Sequence, residues 1–236
     1  MTSGGAKRFY KAVSVAQEDG GHAVLLDGRA VKSPAKAPLL LPTAVLADAV
    51  AAEWDAQTDR IDANAMPMMS FAATTIDRVT PNRAHVIAEI AGFGRSDLLC
   101  YRAETPLTLV ERQAQDWGEM LAWAEERLGA QLVVTEGLMP VDQPHAAVSR
   151  LHAHVEAHSD WELTPLHTVT TISGSLVIGL AVTQGRLDSA RAFEIGELDE
   201  TFQSELWVID REAEDRRRRR RAELEAAERF LTLVRA

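Results

Sequence analysis

The stretch that decides the fold class is "LTLVERQAQDWGEMLAWAEERLG", residues 107–129. Its apolar residues recur at alternating spacings of three and four positions, which is the period of a helix with one buried face. The stripe consists of Leu107, Val110, Ala114, Trp117, Leu121, Ala124 and Leu128. Gly129 follows it and suits the left-handed position that often ends a helix. We therefore predict an amphipathic helix that packs on a helical core.

Similar signals continue toward the C-terminus. Threonine before proline at residues 80–81, 105–106 and 164–165 predicts three helix starts, because threonine caps and proline tolerates the first helical position. "PHAAVSRLHAHVEAH" predicts a further helix, and a last one is expected from about Asp188 to Val234. The apolar run from Leu176 to Val182 is too short to span a membrane and predicts a buried helix.

Toward the N-terminus the pattern changes to that of strands. "YKAVSV" and "HAVLL" are separated by "DGG", and "DGR" follows, so we expect short antiparallel strands joined by tight turns. Thr43 is placed to cap a helix that carries Leu46, Val50 and Trp54 on one face. The predicted fold class is α+β. A β-rich N-terminal domain, residues 1–60, ends in a helix, and an all-helical domain follows over residues 61–236.

Composition is that of an ordinary globular chain. Its 236 residues are 46% hydrophobic and 25% charged, with a net charge of −10. Cys100 is the single cysteine, which excludes an internal disulfide framework and fits a reducing compartment, and we expect it to be a small buried residue. The start "MTSGGAKRFYK" has neither an apolar signal region nor a long arginine-rich stretch, so the expected location is the cytoplasm.

The segment "EDRRRRRRAEL", residues 214–224, contains six consecutive arginines. From Asp210 to Glu228 seven arginines face seven acids, so the segment is neutral and lacks the net positive charge of a nucleic-acid arm. The pairs Glu212 with Arg216, Glu214 with Arg218 and Asp215 with Arg219 have the favourable acid-first spacing of four. We predict a solvated helix in which one or two arginines lie along the stripe through Ala213 and Leu224. A protein-binding basic face, or a surface for nucleic acid or lipid, is the alternative.

The search for catalytic motifs yields little. His154 and His158 are four residues apart and could share a helical face, but no HExxH motif or cysteine cluster completes a metal site. "GFGRSD" lacks the third glycine of a dinucleotide loop. No GxSxG elbow or P-loop is present. We expect no catalytic residues, no metal and no cofactor. A metal-dependent or hydrolytic enzyme that uses the histidine-rich helix is the alternative.

Two acidic segments contain a tryptophan. In "EWDAQTDRID", Glu53 and Asp55 flank Trp54, which we expect to be a core residue joining the two domains. In "LDETFQSELW" and the residues after it, the apolar stripe is Leu198, Phe202, Leu206 and Ile209. Asp199, Gln203 and Asp210 form a polar strip beside that stripe, and Trp207 lies beyond it. Such a strip at the margin of a core is suited to recognition of a partner.

Separate blocks over about residues 8 to 235 resemble the ATP-twelve family, the assembly chaperones of the α subunit of the F-type ATP synthase head in mitochondria and α-proteobacteria. The blocks are "RFYKAVSV", "VLLDGRAVKSPAKAPLLLPT", "LADAVAAEWDAQ", "IDRV", "SDLLCYRAETPLTLVERQ", "WGEMLAWAEERLGA" and "LDETFQSELW". This chain departs from the family at Val208, where glycine is usual, and in "PMMSFAATTIDR", which lacks an arginine and an asparagine of the common pattern.

The resemblance implies a chaperone that needs no ATP and binds the free α subunit until it joins β. It places the family's C-terminal acidic motif on Asp199 and Glu200, with Gln203 and Trp207 at matching positions. Together with Asp210 of the polar strip, these are the expected partner-binding residues. The tryptophan-acid motif matches Glu53, Trp54 and Asp55. A bacterial cytoplasmic monomer is expected, with relatives in the mitochondrial matrix, no nucleic-acid partner and no membrane insertion.

Overall fold

The structure is a computed structural model that describes residues 6–137, 139–206 and 211–236. It divides into two compact units. The first unit comprises Met1–Arg83, Asp160–Thr164 and Arg229–Ala236, and the second unit comprises Ala84–Ser159 and Pro165–Glu228. The domain boundary between residues 60 and 61 stays a prediction, because compact packing does not measure which segments fold independently.

The sheet of the first unit is formed by four short antiparallel strands. They are β1 Val13–Glu18, β2 Gly21–Leu26, β3 Arg29–Ala30 and β4 Leu40–Leu41. The central β2 pairs with all three others. Between β2 and β3, Asp27 and Gly28 have φ angles of 48° and 79°, the two positive values that a two-residue hairpin turn of type I′ requires. The turn predicted at "DGR" is therefore present.

Helices complete the first unit. Thr43 caps α1 (Ala44–Asp55), as predicted, because its Oγ1 accepts a hydrogen bond from the Leu46 backbone N–H at 3.2 Å. A 3₁₀ turn, Ala63–Ala65, precedes α2 (Pro67–Thr74), which continues through a π turn at Thr75–Val79 and a 3₁₀ turn at Thr80–Asn82. Phe71 of α2 stacks on Phe230 with ring centroids 5.2 Å apart, which fixes the last turns of the chain in this core.

The second unit is almost entirely helical, and the α+β class is confirmed. Its helices are α3 Arg83–Gly92, α4 Leu107–Trp123, α5 His145–Glu156, α6 Asp160–Ser173, α7 Leu176–Thr183, α8 Ser189–Gly196, α9 Leu198–Leu206 and α10 Arg211–Arg235, of which α3, α6 and α10 extend into the first unit. The helix α7 is buried along its whole length, as the apolar run predicted. Within the described ranges, no helix combines the length and apolar character that crossing a membrane requires.

The start of α7 depends on a buried carboxylate. Asp97 is fully buried, and it accepts hydrogen bonds from the backbone N–H of Leu99 at 3.1 Å and of Val177 at 3.0 Å. Burial raises the pKa of Asp97, against the opposing effect of the hydrogen bonds from Ser175 and the backbone. The neighbouring Cys100 is also fully buried, as expected, and burial raises the pKa of its thiol to about 12.

The face that α4 buries differs from the predicted stripe. Its buried side chains, continuing through the π turn Ala124–Leu128, are Leu109, Gln113, Trp117, Met120, Ala124 and Leu128. Leu107 is 69% exposed and Ala114 is also exposed, so the prediction was wrong in the N-terminal half. The physical reason is that Gln113, a polar residue, occupies a core position. Gly129 ends the segment with φ 65°, as expected.

Three other expectations need correction. Thr164 and Pro165 lie inside α6, which begins at Asp160, where acidic residues in the first turn favour a helix N-terminus. Neither of the other two threonines caps a helix through its side chain. The predicted last helix is not continuous, because α8 ends at Gly196 and α9 begins at Leu198. In addition, two short parallel strands, β5 Tyr101–Arg102 and β6 Thr135–Glu136, lie in the part expected to be all helical.

The arginine row belongs to α10, as predicted, but its pairing differs. Asp215 pairs with Arg218 at 2.6 Å, three residues on, and Arg221 pairs with Glu225 at 3.2 Å. Two arginines face inward along the stripe of Ala213 and Leu224. Arg217 donates to the Thr201 hydroxyl at 2.7 Å, and Arg220 forms an ion pair with the buried Glu197 at 2.6 Å. Two arginines of the row therefore connect α10 to α9 and to the turn that precedes α9.

Candidate functional site

Glu53 is a capping residue of the first unit. Its Oε1 accepts a hydrogen bond from the Met68 backbone N–H and its Oε2 from that of Met69, both at 2.8 Å. These are N–H groups of the first turn of α2, which have no partner within the helix. Burial raises the pKa of Glu53 more than these bonds and the nearby Arg229 lower it. The carboxylate thus joins the end of α1 to the start of α2.

Trp54, which the sequence predicted as a core residue, is half-buried. Its ring and that of Tyr10 form a T-shaped pair, with centroids 5.7 Å apart, and its backbone carbonyl accepts a hydrogen bond from the Tyr10 hydroxyl at 2.6 Å. Within the described residues, the buried indole Nε1 has no hydrogen-bond acceptor.

Asp55, the third residue of this motif, lies at the surface. Its side chain is 70% exposed and is 3.5 Å from the Arg8 guanidinium. Arg8 also donates to the Asp55 carbonyl at 3.0 Å and lies 4.6 Å above the Tyr10 ring. The motif therefore combines a helix cap, a half-buried aromatic ring and an exposed acid.

The structure describes part of the predicted partner-binding strip in the second unit. Glu200 and Gln203 are exposed on α9, whereas Asp199 is half-buried. Leu198 and Phe202 are buried, so they anchor α9 as the apolar pattern predicted. Trp207 and Asp210 lie outside the described residues, as do Val208 and Ile209, and the side chain of Leu206 is likewise outside the description.

Asp199, at the margin of the core, is hydrogen-bonded to a buried side chain. Its Oδ1 accepts a hydrogen bond from the side-chain amide of Gln113 at 2.7 Å. The amide oxygen of Gln113 accepts the Ala103 backbone N–H at 2.8 Å, and its backbone carbonyl accepts the Arg102 guanidinium. Gln113 is 1% exposed, so Asp199 satisfies a buried donor. The carboxylate therefore has a structural partner as well as a half-exposed position.

The burial of Gln113 was not predicted from the sequence, because only apolar residues were expected at core positions. The available signal was a displaced stripe, since Leu109, Gln113 and Trp117 also repeat at a spacing of four. Arg102 lies 5.3 Å from the Trp117 ring, and Trp117 donates its indole N–H to the Ile195 carbonyl at 2.9 Å. A polar network within the core thus positions the start of α9.

The exposed face of α9 is also restrained near its C-terminal end. Arg112 forms an ion pair with Glu205 at 2.9 Å and lies 5.3 Å from the Phe202 ring. The hydrogen bond and charge of Arg112 lower the pKa of Glu205. Glu200, by contrast, is exposed and makes no ion pair within the described ranges. Glu200 and Gln203 are thus available to a partner.

His154 of α5 and His158, which follows this helix, form contacts typical of packing residues. His154 Nε2 is 3.3 Å from the Leu128 carbonyl, and the His158 ring nitrogens lie 2.8 Å from the His154 carbonyl and 3.0 Å from the Thr183 hydroxyl. Over residues 6–137, 139–206 and 211–236, no three His, Cys, Asp or Glu side chains are grouped so as to hold a metal ion. The two histidines therefore contribute to packing, whereas the exposed acceptor groups of α9 are suited to recognition by charge and hydrogen bonds.

Comparisons with known proteins agree over most of the chain. The family model described as ATP12 chaperone protein matches residues 7–125. The crystal structure of Atp12 from Paracoccus denitrificans is 42% identical, with a TM-score of 0.93 over 97% of this chain and 98% of that chain. The Atu1473 protein of Agrobacterium tumefaciens is 39% identical, with a TM-score of 0.91 over 96% of this chain and 85% of that chain. The mitochondrial atp12 protein of Schizosaccharomyces pombe is 24% identical over 213 residues, which are 85% of this chain and 73% of that protein. The chain therefore belongs to the ATP12 chaperone family.

Proposed function

We propose that this member of the ATP12 family, a family of F1-ATPase assembly chaperones, binds the free α subunit of the F-type ATP synthase head. It prevents aggregation of α until α pairs with β, and it does so without catalysis or ATP. The observation that carries the proposal is the match to Atp12 of Paracoccus denitrificans over nearly the whole length of both chains. The proposed setting is the bacterial cytoplasm, and the proposed active form is a monomer.

The exposed face of α9 is the proposed contact with α. Asp199, Glu200 and Gln203 provide acceptors on this face, and Trp207 and Asp210 are further proposed contacts. Acidic groups at the margin of an interface select a basic partner surface and accelerate association more than they raise affinity. A free subunit exposes an assembly interface that is apolar at its core, so a chaperone must cover that surface reversibly.

Glu200→Lys gives the sharpest test, because Glu200 is exposed and adjoins Glu197, whose pKa it helps to raise. Replacing it with lysine should leave the fold intact while reversing a charge on the proposed face. We expect about tenfold weaker binding to purified α and loss of protection against α aggregation, measured by light scattering. Glu126→Lys, another exposed acid of the second unit, is the matched control and should protect like the parent.

Protection of α by the Glu200→Lys variant equal to that by the parent would remove this face from the proposed binding site. If the parent itself neither binds nor protects α, the proposed function is wrong. Thermal melting of each variant should accompany these assays, since only variants with the parent's melting temperature report on binding.

A further inference from the structure

We propose that the outer edge of β6, in the second unit, binds an extended segment of the client polypeptide that carries an apolar and a basic side chain two residues apart. The segment would add a third strand to the two-stranded sheet. The proposal rests on the proposed function, in that the segment would belong to the free α subunit. It concerns a different part of the chain from α9.

One edge of residues 133–137 is held by hydrogen bonds within the fold. The strand β6 pairs in parallel with β5, and the Gly137 backbone N–H donates to the Arg102 carbonyl at 2.9 Å. Nearer the start of this segment, the Gln143 side-chain amide accepts the Val133 N–H at 2.7 Å and donates to the Val133 carbonyl at 2.8 Å. One neighbour bonds both groups of a residue in this way where the chain is extended, as in paired strands. The segment is therefore fixed as a strand along this edge.

The opposite edge of the same segment is open. Alternate residues of a strand direct their backbone groups to opposite edges, and Val133 and Gly137 both bond toward the paired edge. Val134 and Glu136 therefore direct their N–H and C=O groups outward. Among the residues that the structure describes, the Val134 backbone groups have no hydrogen-bond partner.

The side chains along this edge do not block it. Val133 and Val134 are 41% and 46% exposed, and residues 133–136 include neither proline nor lysine, which commonly protect an edge. An exposed edge with β-branched side chains is a template for a further strand, and extended peptides are often bound in this way. The backbone thus favours an extended polypeptide as the occupant.

The charge at the edge favours a basic occupant. Glu136 is exposed, and the Glu104 carboxylate lies against the residue after β6, since a Cβ at Gly137 would be 2.9 Å from its Oε1. Within the described ranges, neither carboxylate forms an ion pair. Residues 131–143 contain two acids and no lysine or arginine. A basic side chain of the client is complementary to these groups.

Arg102 is the cation opposite Glu136 in the ladder, but the fold uses it elsewhere. Its guanidinium donates to the Gln113 carbonyl and lies 5.3 Å from the Trp117 ring. The carboxylate that interacts with it electrostatically is that of Asp199. Glu136 therefore keeps its charge available to a partner at the outer edge.

Strand geometry specifies the spacing of the client's side chains. Residues directly opposite each other in paired strands lie on the same face, and residues two apart along a strand share a face. The client residues beside Val134 and Glu136 are therefore two positions apart and on one face, in a parallel or an antiparallel added strand. An apolar residue beside Val134 and a basic one beside Glu136 satisfy both contacts together. A second copy of this chain would instead bring the same unpaired acids to the edge.

The test titrates the full chain by calorimetry with an acetylated octapeptide whose odd positions are threonine and whose even positions alternate valine with lysine. The same peptide with glutamate in place of lysine is the charge control. Two further lysine peptides carry N-methyl groups, one on the odd residues and the other on the even residues. They keep the side chains and remove alternate N–H donors.

We expect the lysine peptide to bind the parent at least about tenfold more tightly than the glutamate peptide. Methylation of one set of nitrogens should abolish binding, whereas methylation of the other set should change it by less than about threefold, because only alternate N–H groups face the edge. The set that abolishes binding reports the direction of the added strand.

Glu136→Lys tests the same edge from the side of the protein. It should weaken binding of the lysine peptide by about tenfold and reduce protection of α. Glu18→Lys is the matched control, because Glu18 is also an exposed glutamate at the last position of a strand. The control should stay within about twofold of the parent in peptide binding and should protect α like the parent.

Three results would overturn the proposal. They are equal binding of the lysine and glutamate peptides, equal effects of the two methylated sets, and lysine-peptide binding unaffected by Glu136→Lys in a protein with the parent's melting temperature. Dimerisation of the parent that the lysine peptide competes away, measured by light scattering, would assign the edge to a second copy and would equally overturn it.

Failure of this inference can be told apart from failure of the proposed function. If the parent protects α and Glu136→Lys protects it equally well, the proposed function stands and this inference fails. If the parent does not protect α at all, the proposed function fails, and the peptide titrations decide whether the edge binds an apolar and basic strand.

Discussion

Asp199 combines a half-buried position on α9 with a hydrogen bond from the buried Gln113 amide. The sequence predicted it as part of a polar strip at the margin of the core, suited to recognition of a partner. We expect Asp199→Lys to lower the free energy of unfolding by about 1–3 kcal/mol, because a buried amide donor loses its acceptor. Lysine would also add a positive charge near Arg102, with which Asp199 interacts electrostatically. Urea unfolding of the variant and the parent measures the change.

Asp199→Asn provides the control for this prediction, since asparagine keeps an acceptor oxygen for Gln113 and removes the charge. It should retain most of the parent's stability while testing the contribution of charge to α binding. Unfolding midpoints that are the same for Asp199→Lys and the parent would show that the Gln113 amide finds another acceptor, and Asp199 would then act in recognition alone.

Among the elements, α10 shows how a run of like charges is distributed by a helix. Successive residues are rotated by about 100°, so six arginines cannot all face solvent. Arg217 and Arg220 continue the stripe that joins Ala213 to Leu224 and are half-buried, whereas the other four are exposed. The sequence predicted this division correctly, but the acidic partners of the inward arginines lie elsewhere in the chain.

Arg220→Gln should therefore destabilise the protein far more than changes in its exposed neighbours. It leaves Glu197, whose side chain is 4% exposed, without its ion-pair partner. Loss of one member of a fully buried pair costs about 3–5 kcal/mol, and the partial exposure of Arg220 places our expectation at about 2–3 kcal/mol. Arg219→Gln is the matched control and should change stability by less than about 0.5 kcal/mol. Equal urea midpoints for the two variants would mean that Glu197 does not depend on Arg220.

At the scale of the whole molecule, buried carboxylates shape the dependence of stability on pH. Burial raises the pKa values of Glu53, Asp97 and Glu197 in the folded state. Between the ordinary carboxyl pKa of about 4 and these raised values, the folded state binds more protons than the unfolded state. The free energy of unfolding should therefore fall as pH rises through that interval.

Urea unfolding at pH 5 and pH 7 tests this expectation, with greater stability expected at pH 5. Asp97→Asn should reduce the difference between the two pH values, whatever its effect on stability itself, because it removes one of the titrating groups. Stability that increases from pH 5 to pH 7 in the parent would contradict the assignment of raised pKa values to these buried carboxylates. The opposite contribution of Asp27, whose pKa is lowered by backbone hydrogen bonds, is lost only as pH falls below about 4.

The sequence by itself determined the features that depend on neighbouring residues. The turn at Asp27 and Gly28, the Thr43 cap, the buried α7 and the end of α4 at Gly129 follow from backbone preferences and short hydrogen bonds, which act within a few positions. The order of the strand and helix blocks also carried the resemblance to the family. These signals gave the α+β class and located α9, although not the bounds of every helix.

The tertiary structure alone decided which polar groups are buried together. Gln113 enters the core because Ala103 and Asp199, 10 and 86 residues away, satisfy its amide. Glu53 caps α2 rather than lying at a surface. The sequence pattern of apolar residues predicts burial for one helix at a time. The free energy of burying a polar group, however, depends on hydrogen-bond partners that folding brings from distant positions.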